Sequence, residues 1–168
     1  ITYSAANTGI GNRMCVEILM HPNDRNTLVA ATRDGIWKTT NAAGTWTNKL
    51  SGGQFRDMKQ KPGSTNTLYA VTATQFFRST DFGDTWTQIT NGVTTPSGNG
   101  GMRIAVSAAD TNVVYLVTTG SNGVVMKSTD GGSNFTTVYN STTQCLVCYD
   151  ANPTSGSQGN YNIDLNAN

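Results

Sequence analysis

One short signature returns three times along these 168 residues, and nothing else constrains the fold as much. Its copies are Ser79-Thr80-Asp81-Phe82-Gly83-Asp84-Thr85-Trp86, Ser128-Thr129-Asp130-Gly131-Gly132-Ser133-Asn134-Phe135, and a worn version, Thr39-Thr40-Asn41-Ala42-Ala43-Gly44-Thr45-Trp46. Upstream of each copy the text recurs again: Asn26-Thr27-Leu28-Val29-Ala30, Asn66-Thr67-Leu68-Tyr69-Ala70 and Asn112-Val113-Val114-Tyr115-Leu116, offset by 40 and then by 46 residues. Repetition on this scale means that one supersecondary unit is copied along the chain, and roughly 40 to 50 residues is what a four-stranded propeller blade occupies.

Each unit divides into four short runs rich in Val, Ile, Thr and aromatics, punctuated by Gly, Asn, Asp and Pro. Strands are expected at 14–20, 27–32, 35–39 and 46–50, then at 55–59, 68–72, 76–79 and 86–90, then at 102–107, 113–118, 124–128 and 135–139. No stretch carries an apolar pattern at helical spacing, so almost no helix is expected. The chain therefore reads as all-β, a partial β-propeller of about three and a half four-stranded antiparallel blades: blades over 1–52, 53–100 and 101–150, then a loop and first strand of the next over 151–168. The chain starts at Ile1 without an initiator Met, and its last eight residues read as a strand that stops. Such a segment cannot close a ring, so the expectation is a piece of a longer chain, completed by its remaining blades or by a partner.

The signature resembles the Asp box, Ser-x-Asp-x-Gly-x-x-Trp, of the BNR repeats in sialidase-like, sortilin-like and xyloglucan-cleaving propellers. Ser79, Asp81, Gly83 and Trp86 match it at every fixed position; Ser128, Asp130, Gly132 and Phe135 differ only in the final aromatic. The first copy, Thr39 to Trp46, departs further, with Asn41 for Asp and Ala43 where Gly is expected, Gly44 sitting one place late, and a distorted turn is anticipated there. The stretch Gly156-Ser157-Gln158-Gly159-Asn160-Tyr161-Asn162-Ile163-Asp164-Leu165 resembles a strand entry of large secreted Bacteroidetes proteins, many exported by type IX secretion. The resemblance implies a secreted or outer-surface protein and secretion-system components as partners. It also implies that the boxes lie on the face opposite the usual binding surface.

Physical reasoning gives the box a structural role. Asp and Ser side chains exchange hydrogen bonds within a tight turn, Gly supplies a positive φ, and the aromatic ring covers the turn, which suits a hairpin between the third and fourth strands. No metal or cofactor is expected. Charged residues make up 12% of the chain, about half the roughly 25% usual in soluble proteins, and the net charge is +1. Without a Lys/Arg cluster there is no electrostatic footprint for nucleic acid. No apolar run approaches the roughly 18 residues of a spanning helix.

Three cysteines remain. Cys145 and Cys148 are spaced as CxxC, but with no second pair and a single histidine, His21, a four-ligand zinc site does not assemble. Buried thiols, or one disulfide involving Cys15, are the preferred readings. His21 precedes Pro22 and reads as a surface turn residue rather than a catalytic base.

Two function classes stand side by side. Sialidases of this fold require three clustered arginines, whereas here Arg13, Arg25, Arg33, Arg56, Arg78 and Arg103 are scattered, and Glu17 is the sole glutamate. The run Ala31-Thr32-Arg33-Asp34-Gly35 resembles the surroundings of the catalytic aspartate in xyloglucan-cleaving enzymes, which makes Asp34 a weak catalytic candidate; glycoside hydrolysis needs a second carboxylate, and Asp-Gly is also a common hairpin turn. Loops on a rigid scaffold are where binding usually resides. The long connection 140–160 holds Tyr149, Asp150 and Gln158, with Tyr161 at its exit, an aromatic and hydrogen-bonding mixture suited to sugars or peptides. The preferred expectation is a non-enzymatic secreted or cell-surface bacterial protein that recognises a glycan or protein, adhesion-like. The alternative is part of an extracellular xyloglucan-type hydrolase.

Overall fold

The computed structural model describes residues 5–96, 100–120, 122–140 and 146. Among them are twelve strands and no helix. The first sheet comprises β1 (Cys15–His21), β2 (Asp24–Thr32), β3 (Gly35–Thr39) and β4 (Thr47–Ser51). The second comprises β5 (Asp57–Gln60), β6 (Leu68–Val71), β7 (Phe76–Ser79) and β8 (Thr87–Ile89). The third comprises β9 (Met102–Val106), β10 (Val114–Thr118), β11 (Val124–Ser128) and β12 (Thr136–Asn140). Every sheet is an antiparallel meander in sequence order, and the opening strands β1, β5 and β9 neighbour one another, as in successive blades of a propeller.

Several strand boundaries shift by one to three residues from expectation, and the hydrogen bonding explains two kinds of shift. β2 starts at Asp24 because β1 and β2 stay paired down to His21 and Asp24, around a turn of only Pro22 and Asn23. Trp46 and Phe135 fall one residue outside the fourth strands. Their amides are spent elsewhere, Trp46 N–H on Thr8 O at 2.8 Å and Phe135 N–H on Asn91 O at 3.1 Å.

The core lies between sheets. Val29, Ala31 and Ile36 of the first sheet pack against Phe55, Met58, Leu68, Ala70, Phe77 and Phe82 of the second. On the opposite face, Tyr69, Val71 and Phe76 pack against Met102, Ile104, Leu116, Met126 and Phe135 of the third. Successive side chains of a strand point to opposite faces, so β6 sends Leu68 and Ala70 one way and Tyr69 and Val71 the other, and all four are buried. Each large apolar side chain enclosed this way contributes about 1.5–3 kcal/mol. On the outward face of the first sheet Ile10 and Trp46 bury Ala30, but β1 is open: Ile18 and Met20 are 51% and 56% exposed, whereas Met58, one repeat after Ile18, is fully buried.

Candidate functional site

Because each sheet runs up and down in order, the β1–β2 and β3–β4 turns leave one end of its strands and the β2–β3 turn leaves the other. Asp34 occupies the β2–β3 turn, a two-residue hairpin in which Thr32 pairs with Gly35. Thr32 Oγ1 fixes it by donating to Gly35 O at 2.9 Å and accepting from Asp34 N–H at 3.2 Å. The carboxylate is exposed and faces Arg13, Nε to Oδ2 at 3.5 Å, while the Arg13 guanidinium lies 4.5 Å from the centre of the Trp37 ring. Asp34 thus sits in a solvent-facing ion pair on an aromatic shelf.

A second polar group runs along the opening strands. Lys59 Nζ lies 3.0 Å from Asp57 Oδ1 on its own strand and 3.7 Å from Glu17 Oε2 on β1. Asp57 is buried, and its other oxygen accepts the Ile104 N–H of β9 at 2.8 Å. This carboxylate joins the second sheet to the third. Glu17 is its counterpart one repeat earlier, longer by one methylene, and reaches a side chain instead of an amide. Sequence reading gave Asp57 no role, since a lone acid in a strand shows nothing of its partner.

The three β3–β4 turns share one hydrogen-bond plan. Ser79 Oγ donates to Asp81 Oδ1 at 2.7 Å and accepts Gly83 N–H at 2.8 Å, while Asp81 Oδ1 accepts Thr85 N–H at 2.9 Å. Ser128, Asp130, Gly132 and Asn134 repeat it at 2.7, 2.9 and 3.0 Å. The first turn is not distorted, contrary to expectation. Thr39 donates to Asn41 Oδ1 at 2.9 Å and accepts Ala43 N–H at 3.2 Å, and Asn41 Oδ1 accepts Thr45 N–H at 2.9 Å. An amide oxygen replaces a carboxylate oxygen because the Thr45 hydroxyl reverses its role: it accepts from Asn41 Nδ2, whereas the Thr85 hydroxyl donates to Asp81. Hydrogen bonds from the side chain and backbone of Asn134, and from Ser128, hold the Asp130 carboxyl well below the usual carboxylate range. For Asp81, desolvation pulls upward, but the Thr85 and Ser79 hydrogen bonds outweigh it and the net shift is down.

These turns also receive the neighbouring sheet. Lys38 Nζ of β3 reaches Asp84 Oδ2 at 2.7 Å, and one repeat later Arg78 Nη1 reaches Ser133 Oγ at 2.6 Å and Gly131 O at 3.2 Å. Tyr69 donates its hydroxyl to the same Gly131 carbonyl, and burial pushes its pKa up to about 12. His21 ends β1 beside the Pro22–Asn23 turn, half-buried, and sets its ring edge-on to Phe82, centroids 4.6 Å apart. Contrary to expectation, the Cys15 thiol is neither buried nor bridged: it is exposed and free at the start of β1, where no sheet covers it. Among the described residues no cluster of His, Cys, Asp and Glu is arranged to hold a metal ion. Tyr149, Asp150, Gln158 and Tyr161, with Cys145 and Cys148, lie outside the described residues.

No protein-family model and no curated protein matches the chain. Solved structures do. An ancestral GH74 enzyme is 24% identical over 83% of this chain and 20% of its own, with a TM-score of 0.64. The GH74 enzyme of Niastella koreensis is 25% identical over 74% and 22%, at 0.54. YCF48 from Cyanidioschyzon merolae is 19% identical over 77% and 38%, at 0.55. The chain spans about a fifth of the length of these two enzymes and 38% of YCF48. All three are β-propeller proteins, and the three four-stranded sheets of this chain fold as their blades do.

Proposed function

We propose that the chain belongs to a secreted or outer-surface bacterial propeller protein that binds a glycan or protein without hydrolysing it. The observation that carries this reading is the state of Asp34, an exposed carboxylate paired with Arg13 in a two-residue turn that Thr32 fixes on structural grounds. The likeness to YCF48, one of whose structures is bound to a D1 peptide, supports a binding role for propellers of this build. The β3–β4 turns carry the side-chain pattern of Asp-box (BNR) repeats, and the 156–165 stretch supports export as a type IX secretion client in a Bacteroidetes-type envelope. Ligand contacts are assigned to Tyr149, Asp150, Gln158 and Tyr161. The remaining blades of the parent protein cover the open face of Ile18 and Met20.

The GH74 likeness favours the alternative, a xyloglucan-type hydrolase with Asp34 as one of its carboxylates. The Asp34→Asn variant of the parent protein separates the two. Binding on a glycan and peptide panel by both forms, with xyloglucan cleaved by neither, is the expected result. Cleavage by the wild type that the variant loses would replace the binding reading with the enzymatic one.

A further inference from the structure

We propose that Arg56 and Arg103 together form a binding site for a single carboxylate group, at the head of β5 and on β9. The two arginines, far apart in sequence, converge beside Gly101: a Cβ on that glycine would lie 3.8 Å from Arg56 Cγ and 3.9 Å from Arg103 Nη1. The Arg56 amide is tied to Val71 O at 2.8 Å, and Gly101 is held by two hydrogen bonds to Thr119, so the frame around the pair is fixed.

Both arginines are half-buried, and a guanidinium loses hydration on burial while the charge of its neighbour opposes its own. Desolvation, with Arg56 adding to it and Asp57 opposing it, pulls the Arg103 guanidinium below its ordinary range. Among the described residues, no carboxylate lies within ion-pair distance of either arginine. Asp57, beside them, is already committed to Lys59 and to the Ile104 amide. Arg56 Nε is buried with no hydrogen-bond partner, and the hydrogen bond of Arg103 is to the carbonyl of Met102, its own neighbour. Arg78 shows what a structural arginine does in this fold, clamping Gly131 O and Ser133 Oγ of the next sheet.

The repeat supplies a second argument. The positions equivalent to Arg56 are Val16 and Met102, and those equivalent to Arg103 are Glu17 and Asp57, so the blade architecture itself does not call for arginine at either place. A departure from local design rules without structural gain points to function. In the row formed by Glu17, Lys59, Asp57, Arg56 and Arg103, three cations face two carboxylates and one positive charge is left over. That excess suits a monovalent, planar carboxylate, which a guanidinium fork meets with two parallel hydrogen bonds, better than a dianion. The site depends neither on the Asp34 reading nor on the 140–160 connection.

The test titrates the isotope-labelled chain with sodium glucuronate, with glucose as its uncharged twin, with N-acetylglycine presenting the same group as a peptide end, and with sulfate. Saturable amide shifts at Arg56, Gly101, Arg103 and Ile104 are expected with at least one of the two carboxylates and not with glucose, and whichever binds more tightly identifies the source. Arg56→Met and Arg103→Met should each weaken binding about tenfold or more, and Arg25→Met, at the exposed start of β2, should leave it unchanged. The wild-type map stands by itself if a variant fails to fold. No saturable shift with either carboxylate, shifts centred elsewhere, or sulfate bound as tightly as the carboxylates would each overturn the proposal.

Discussion

Ala42 and Ala43 adopt φ values of 55° and 67°, the left-handed region where a Cβ crowds the backbone, at a cost of about 1–2 kcal/mol per residue. The equivalent positions are Phe82 and Gly83 in the second turn and two glycines, Gly131 and Gly132, in the third. Thr39 and Asn41 hold the first turn on this path in spite of the strain. Ala43→Gly should therefore stabilise the chain by about 0.5–1 kcal/mol, once the greater freedom of glycine in the unfolded chain is subtracted, and raise the melting temperature followed by circular dichroism. Gly83→Ala should act in the opposite sense and more strongly, because the new methyl would meet Val29 Cγ2 at 3.0 Å. Sequence reading recognised this turn but expected distortion. The departures at Asn41 and Ala43 pointed that way, whereas the turn needs an acceptor oxygen, which an amide also supplies, and Ala43 takes the positive φ.

At the scale of strands, the runs of β-favouring residues and the turn residues between them placed all twelve elements within a few positions, because strand composition and turn chemistry are local. What pattern could not show is where a polar side chain on an opening strand is spent. Asp57 reads as one acid among Arg56, Met58 and Lys59, yet in the fold it accepts the Ile104 amide of the following sheet. Asp57→Ala leaves the Ile104 N–H buried without an acceptor and should cost about 1–3 kcal/mol in denaturant unfolding. Asp57→Asn should cost less, since its amide oxygen still accepts that bond while the Lys59 ion pair is lost. Equal losses for the two variants would mean that the Lys59 pair, not the amide, carries the contribution.

Across the whole molecule, the second sheet is enclosed on both faces and the first on one. Ile18 and Met58 are repeat equivalents, yet one is half exposed and the other fully buried, solely because a sheet lies against the second. If further blades cover the first sheet in the parent protein, Ile18→Asp should destabilise it by several kcal/mol, as burial of an unpaired charge does; in residues 1–168 alone the same change should cost under about 0.5 kcal/mol. Thermal unfolding of both lengths checks this, and a small effect in both would remove the covering sheet from the account. The amino-acid sequence by itself determined the repeating unit, its four strands and its tight turns, because each depends on neighbours within a few residues and on side-chain alternation. Tertiary structure alone decided which carboxylates are spent on amides and cations, that His21 packs on Phe82, that Cys15 is exposed, and that Arg56 and Arg103 both border Gly101. Those outcomes depend on distances between residues some 40 or more positions apart, or on whether another sheet lies alongside, and a linear pattern carries no record of either.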